Sequence, residues 1–201
     1  MPVNRLHIVF AMLAVLAVLT MTGGCAPKNQ VALVGPQVEA RAPTCSLDVV
    51  VLDFTDASPD PGVLGVDREG KAFTTDDDVG RWASWSLFEA LSGRGCHARH
   101  RTRLLPGETA PVVTGQVKTL NLEQTGFFTY VLDIAVTFHL QAADAPEPMW
   151  THTVTVNLER SDLPDDANPQ SMLSDGMAEV LADAVPRIMA QAGAQAGAGS
   201  E

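Results

Sequence analysis

Apolar positions along the chain fall into three patterns: unbroken runs, a helical stripe, and strict alternation. The first unbroken run, Ile8 to Leu19, is about a dozen residues long, the length of a signal-peptide core and too short to span a bilayer comfortably. The second, within Ser46–Phe54 (SLDVVVLDF), has the continuous apolar character of a strand buried on both faces. Thr55 to Thr75 follows as a long loop rich in proline and glycine. At about twenty residues it exceeds ordinary connections and is expected to be functional or mobile.

The helical stripe comes next. Trp82, Trp85, Phe88 and Leu91 recur at every third position with Leu87 beside them, predicting a helix over Val79–Leu91 whose two tryptophans are core. Thr75 and Asp78 have the spacing of a capping box, and the acidic triplet Asp76–Asp78 suits the positive end of the helix dipole. Gly95–Arg101 reads as a second, short strand. A strand–helix–strand crossover makes the two strands parallel.

Alternation dominates the rest. Val112–Leu122 is a strand with Gly115 inside it. Phe127–Gln141 places Tyr130, Leu132, Ile134, Val136, Phe138 and Leu140 on one face, and Trp150–Leu158 alternates likewise. Pairing Leu140 with Trp150 also pairs Phe138 with His152, Val136 with Val154, Ile134 with Val156 and Leu132 with Leu158. That hairpin register keeps both apolar faces together. A last helix is predicted over Gln170–Ala190, kinked or shortened at Pro186. The glycine–alanine tail 191–201 reads as disordered. The predicted fold is α+β: a mixed sheet of about five strands in the order β-α-β-β-β-β-α, with both helices on one face.

Composition and chemistry alter this picture at the N-terminus first. Arg5 precedes the apolar run, and Thr22-Gly23-Gly24-Cys25 closes it. Small residues directly before a cysteine resemble the bacterial lipobox, which implies cleavage before Cys25 and a covalent lipid on its sulfur, with no other cofactor expected. An ordinary secretory signal with a chance cysteine, or an uncleaved anchor, are the alternatives. The segmentation expected is a signal peptide over 1–24, the lipidated cysteine and a tether over 25–44, one periplasmic domain over 45–190, and the tail. Residues 26–43, with three prolines and no sustained periodicity, would span roughly 23 Å as a flexible tether. Pro27 rather than aspartate stands second after Cys25, which by resemblance to enteric lipoproteins implies the periplasmic face of the outer membrane.

One basic residue lies before Cys25, leaving 12 basic against 24 acidic side chains and a charge near −12. That balance argues against nucleic acid and against electrostatic adhesion to anionic lipid. Cys45 and Cys96 remain in an oxidising compartment. If the two predicted parallel strands are neighbours, about 4.8 Å apart, their sulfurs meet at one end of the sheet and a disulfide follows; two reduced buried thiols are the alternative.

No serine elbow, phosphate loop, dinucleotide fingerprint or metal-ligand spacing is present, so no enzymatic activity and no metal are expected. Asp53 and Asp56 flank the end of the first strand. They suit either an acid–base pair or turn and cap duty. His97, Arg99, Arg101 and Arg103, with His100, form the sole basic cluster: a spot for an anionic group, or an edge strand blunted by charge. Phe127 and Phe128 sit at a hairpin tip, to dock a partner, graze the membrane or pack in the core. His152 falls on the apolar face of its hairpin, as a hydrogen-bonded core histidine or a ligand. The loop Gly62–Phe73 is the stronger interaction candidate beside Asp53 and Asp56.

VVVLDFTDASPDPGVLG, DDDVGRWASWSLFEALSGRG, VVTGQVKTLNLE and EPMWTHTVTV together resemble the YajG-type family of bacterial lipoproteins. Auxiliary lipoproteins of ABC-type lipid transport and the curli-secretion-like group are similar in order. The resemblance implies a non-catalytic binding or assembly role in the cell envelope, with an envelope protein or a second copy of the chain as partner. An accessory subunit of a transport or secretion complex is the alternative.

Overall fold

The structure, a computed structural model, describes residues 29–37, 45–145, 147–161 and 167–198. Cys25 and the segment before it lie outside them. The α+β expectation holds: one mixed sheet carries two helices. The long strand β6 (Val112–Gln124) is its axis. One edge pairs antiparallel with β7 (Thr129–Gln141), which pairs with β8 (Trp150–Ser161). The other edge takes three short strands end to end, all parallel: β1 (Asp48–Leu52), β2 (Thr55–Asp56) and β3 (Val63–Val66). β4 (Ala72–Thr74) pairs antiparallel with β3, and β5 (His97–Arg101) pairs parallel with β1.

The sheet therefore has eight strands. The three unforeseen ones occupy the segment expected to be a loop. Their runs of two to four residues are too short to carry a period, and they are held by neighbours distant in sequence. The β7–β8 register is the expected one, with Leu140 opposite Trp150 and Leu132 opposite Leu158. In β6 the helix-facing positions are Val113, Gly115 and Val117, then Leu120 and Leu122. The change of parity is absorbed by a bulge at Lys118, between Val117 and Thr119.

Helices α1 (Val79–Gly93) and α2 (Ala167–Ala198) cover this apolar face. Asp78 alone caps α1, accepting the Arg81 amide at 2.9 Å, whereas Thr75 Oγ1 accepts the Asp77 amide. Trp82 is core but Trp85 is 44% exposed, its indole nitrogen donating to Glu89. A three-residue repeat turns by about 60° per step around a helix, so an every-third series leaves the core face. The buried stripe is instead Val79, Trp82–Ala83, Ser86–Leu87 and Ala90–Leu91.

Phe54 fills a slot whose walls are two glycines. A β-carbon on Gly80 would stand 2.2 Å from the Phe54 carbonyl oxygen, and one on Gly115 would stand 2.7 Å from the Phe54 ring. Phe138 meets that ring edge-on at 5.7 Å.

Cys45 and Cys96 are joined in a disulfide, their α-carbons 4.7 Å apart where β1 and β5 begin. α2 runs through Pro186, because Val185, Ile188 and Ala192 continue the buried stripe while Pro186 faces solvent, where water can serve the unpaired carbonyl. The stretch expected as a disordered tail is helical to Ala198, with Gly193 against Leu47.

Part of the expected tether is also docked. Residues 29–37 lie along β4 and the start of α1. Val31 donates to the Thr74 carbonyl at 2.8 Å, and Thr74 returns a bond to Asn29 at 2.9 Å. Val31 is buried, and Leu33 packs on the core. Asp76 accepts the Gln30 amide, and Asp77 accepts the Leu33 backbone N–H at 2.8 Å. The Trp82 indole donates to the Val34 carbonyl. Two of the three aspartates thus hold this strap, and the third caps the helix.

Candidate functional site

Two places gather the polar and aromatic residues singled out by the sequence. The first is at the carboxyl ends of β1 and β5. Alternation in β5 turns His100 inward beneath α1 and turns His97, Arg99 and Arg101 outward, so the basic cluster is split between two faces. His100 Nε2 lies 3.2 Å from Asp53 Oδ1 and 3.1 Å from Ser84 Oγ. Trp85 and Phe88 wall the imidazole, with ring centroids at 5.2 and 6.1 Å. Burial pushes the His100 pKa below its ordinary value; the Asp53 carboxylate opposes that shift and Arg81 adds to it.

Serine, histidine and aspartate meet here, but not as a catalytic relay. Hydroxyl and carboxylate both face Nε2, whereas a relay needs the carboxylate on Nδ1. Ser84 is fully buried, and its hydroxyl donates to the Arg81 carbonyl at 3.0 Å. The cluster braces α1 against two parallel strands.

Asp56, Arg99, His97 and His152 have local partners. Asp56 accepts both the amide (2.9 Å) and the hydroxyl (2.6 Å) of Ser58, the turn role. Arg99 pairs with Glu108 at 3.0 Å, and Glu108 also receives the amides of Thr109 and Ala110. His97 lies 3.9 Å from Asp48, with both side chains exposed. Arg101 and Arg103 are exposed, and the Arg101 carbonyl receives the Asp53 amide. His152 is half-buried, stacks on Trp150 and bonds Asp183 at 2.7 Å; Asp183 also binds Arg187. An open groove between β8 and α2, about 350 Å³, is lined by Leu158, Met172 and the Arg160–Asp175 pair.

The second place is the β6–β7 tip. Phe127 and Phe128 are not core: they are 66% and 47% exposed, with rings 6.3 Å apart. The tip is closed by the amides of Thr125 and Gly126 donating to the Thr129 carbonyl. The Arg68 guanidinium lies 3.7 Å over the Phe127 ring. Arg68 belongs to the turn between β3 and β4, inside the segment Gly62–Phe73. Two candidates far apart in sequence therefore form one surface, which exposed Val66 extends. Asp67 organises the turn by accepting the amides of Glu69 and Lys71. The Asn29 side chain donates to Asp67 at 2.9 Å and holds its carboxyl below the usual carboxylate range. Sequence reasoning missed this seat for Asn29. The alternating Val31-Ala32-Leu33 beyond it was the available signal.

Among the described residues, no cluster of three or more His, Cys, Asp or Glu side chains is placed to hold a metal ion, and no helix is long and apolar enough to cross a membrane. No family model and no curated protein matches the chain. Solved structures do. A Xanthomonas campestris protein of the DUF330 family is 14% identical with a TM-score of 0.62, over 86% of this chain and 99% of that one. An uncharacterised protein is 11% identical with a TM-score of 0.50, over 80% of this chain and 98% of that one. A lipoprotein of Neisseria meningitidis aligns more loosely, at 12% identity and a TM-score of 0.37, over 69% of this chain and 99% of that one. At these identities the first two likenesses are likenesses of fold.

Proposed function

We propose that this chain is a lipoprotein of the bacterial envelope, anchored through acylated Cys25 at the periplasmic face of the outer membrane, whose domain acts by contact and not by bond-making. It fits the YajG-type group of such proteins. The observation that carries the reading is the apolar segment Ile8–Leu19 ending on Thr-Gly-Gly-Cys25. Several acyl chains on one residue give stable attachment where a single chain is marginal. The disulfide suits an exported domain.

The test is metabolic labelling with a palmitate analogue, in the unaltered protein and in Cys25→Ser. Label confined to the unaltered protein, recovered with outer-membrane vesicles, is the expected result. Equal label in both sinks the anchor, and recovery with the inner membrane sinks the outer-membrane assignment.

A second reading, an accessory subunit of an envelope transport or secretion complex, draws on the open edge strands. Among the described residues β8 pairs with β7 alone, and its outer edge offers a 12-residue strand for addition of another chain or copy. Sizing of the detergent-extracted protein, alone and with membrane lysate, discriminates. A clean monomer in both speaks against assembly.

A further inference from the structure

We propose that Phe127 and Phe128 enter the interfacial zone of the bilayer that holds the acyl chains, so that the protein is seated on the membrane at a second point. The inference rests on the proposed acylation of Cys25 and adds to it an orientation.

The argument is one of connected contacts. Cys25 precedes Asn29 by four residues, which extend to at most about 14 Å. Asn29 is fixed to the domain by its side-chain bond to Asp67 and its backbone bond to Thr74. Arg68, next to Asp67, covers the Phe127 ring. The point where the anchored segment joins the body is therefore the corner that carries the aromatic tip.

The chemistry of that corner suits lipid. The tip, Gln124 to Thr129, bears no charge in a chain of net charge −11. Its two phenylalanines are among the most exposed large apolar side chains described, and Val66 adds apolar surface beside them. Arg68 stands at the rim, where a guanidinium can hold a lipid phosphate while its ring contact persists. A bilayer already brought within a few residues' reach supplies the apolar medium that water does not.

The experiment reconstitutes the full acylated protein into phosphatidylethanolamine–phosphatidylglycerol vesicles, with or without brominated acyl chains. A Phe127→Trp variant reports the tip; the same measurement on the unaltered protein subtracts Trp82, Trp85 and Trp150. The expected result is an added emission that is blue-shifted and at least halved by bromine, together with flotation of the protein with the vesicles. A Phe127→Ser/Phe128→Ser variant with unchanged thermal unfolding should still float, yet transfer between vesicles several-fold faster. Flotation with the added emission unquenched overturns the seating and leaves the anchor standing. That result, with a crosslink from position 127 to an envelope protein in cells, assigns the tip to a protein partner instead. Failure to float, with no acyl label, overturns both.

Discussion

His100 shows how one side chain can tie stability to pH. Its folded pKa is lowered by burial, so the unfolded chain takes up a proton first as pH falls. The stabilisation it gives is complete above about 6.5, the ordinary histidine value, and is lost as pH drops from there through the lowered folded value. Urea unfolding between pH 5 and 8 should show stability rising with pH up to about 6.5 and levelling above it, and His100→Gln should flatten the rising part of the curve. An unchanged slope would remove His100 as its source. The Phe54 slot makes a second residue-scale prediction. Gly115→Ala should cost about 1–3 kcal/mol, because the buried ring must shift; Gly80→Ala should cost more, because a β-carbon there meets backbone. Chemical denaturation with an unchanged m-value checks both. Gly115 was visible in the sequence as a glycine within a strand. The residue it makes room for was not, since Phe54 is 61 positions away and the contact exists only once β6 lies beside β1 and β2.

Among the elements, those with a long period were legible and those sustained by partners were not. The β7–β8 register follows from alternation alone, because a slip by one residue would turn Ile134, Val136 and Phe138 to solvent. β2, β3 and β4 have no such internal signal. α2 defied the local rule at Pro186 because its buried stripe continues on both sides of it, through Leu181, Ala184 and Val185 before and Ile188 and Ala192 after. The disulfide followed from strand order, and its value lies in the unfolded chain. It closes a loop with a sequence separation of 51, for which chain-entropy reasoning gives roughly 4 kcal/mol. Replacing both cysteines by serine should lower unfolding free energy by roughly 2–4 kcal/mol in non-reducing buffer. A smaller loss would mean that residual structure already holds those ends together in the unfolded state. The strap 29–37 gives the matching test at the N-terminal side: Val31→Asp should cost about 1–3 kcal/mol and expose the chain to proteolysis near Asn29, read by mass spectrometry of the fragments.

At the scale of the molecule, one face of the sheet packs on two helices, and the other is polar along β7 and β8 with a small apolar cluster of Val50, Ala110 and Val112 where β1 meets β6. On that second face Thr137 meets Thr153, His139 meets Thr151, and Asp133 meets Asn157. The candidate surface could not be read from the sequence, because it joins residues near 29, 67 and 127 that only the assembled sheet brings to one corner. The docked strap has a mechanical consequence. An eighteen-residue leash would let the body roam and sample partners at many heights and tilts. If Cys25 carries the proposed lipid, three residues separate it from the docked strap, and the domain would be mounted like a short-stemmed lamp: its height above the lipid nearly constant, one pole facing outward, and whatever it serves coming down to it.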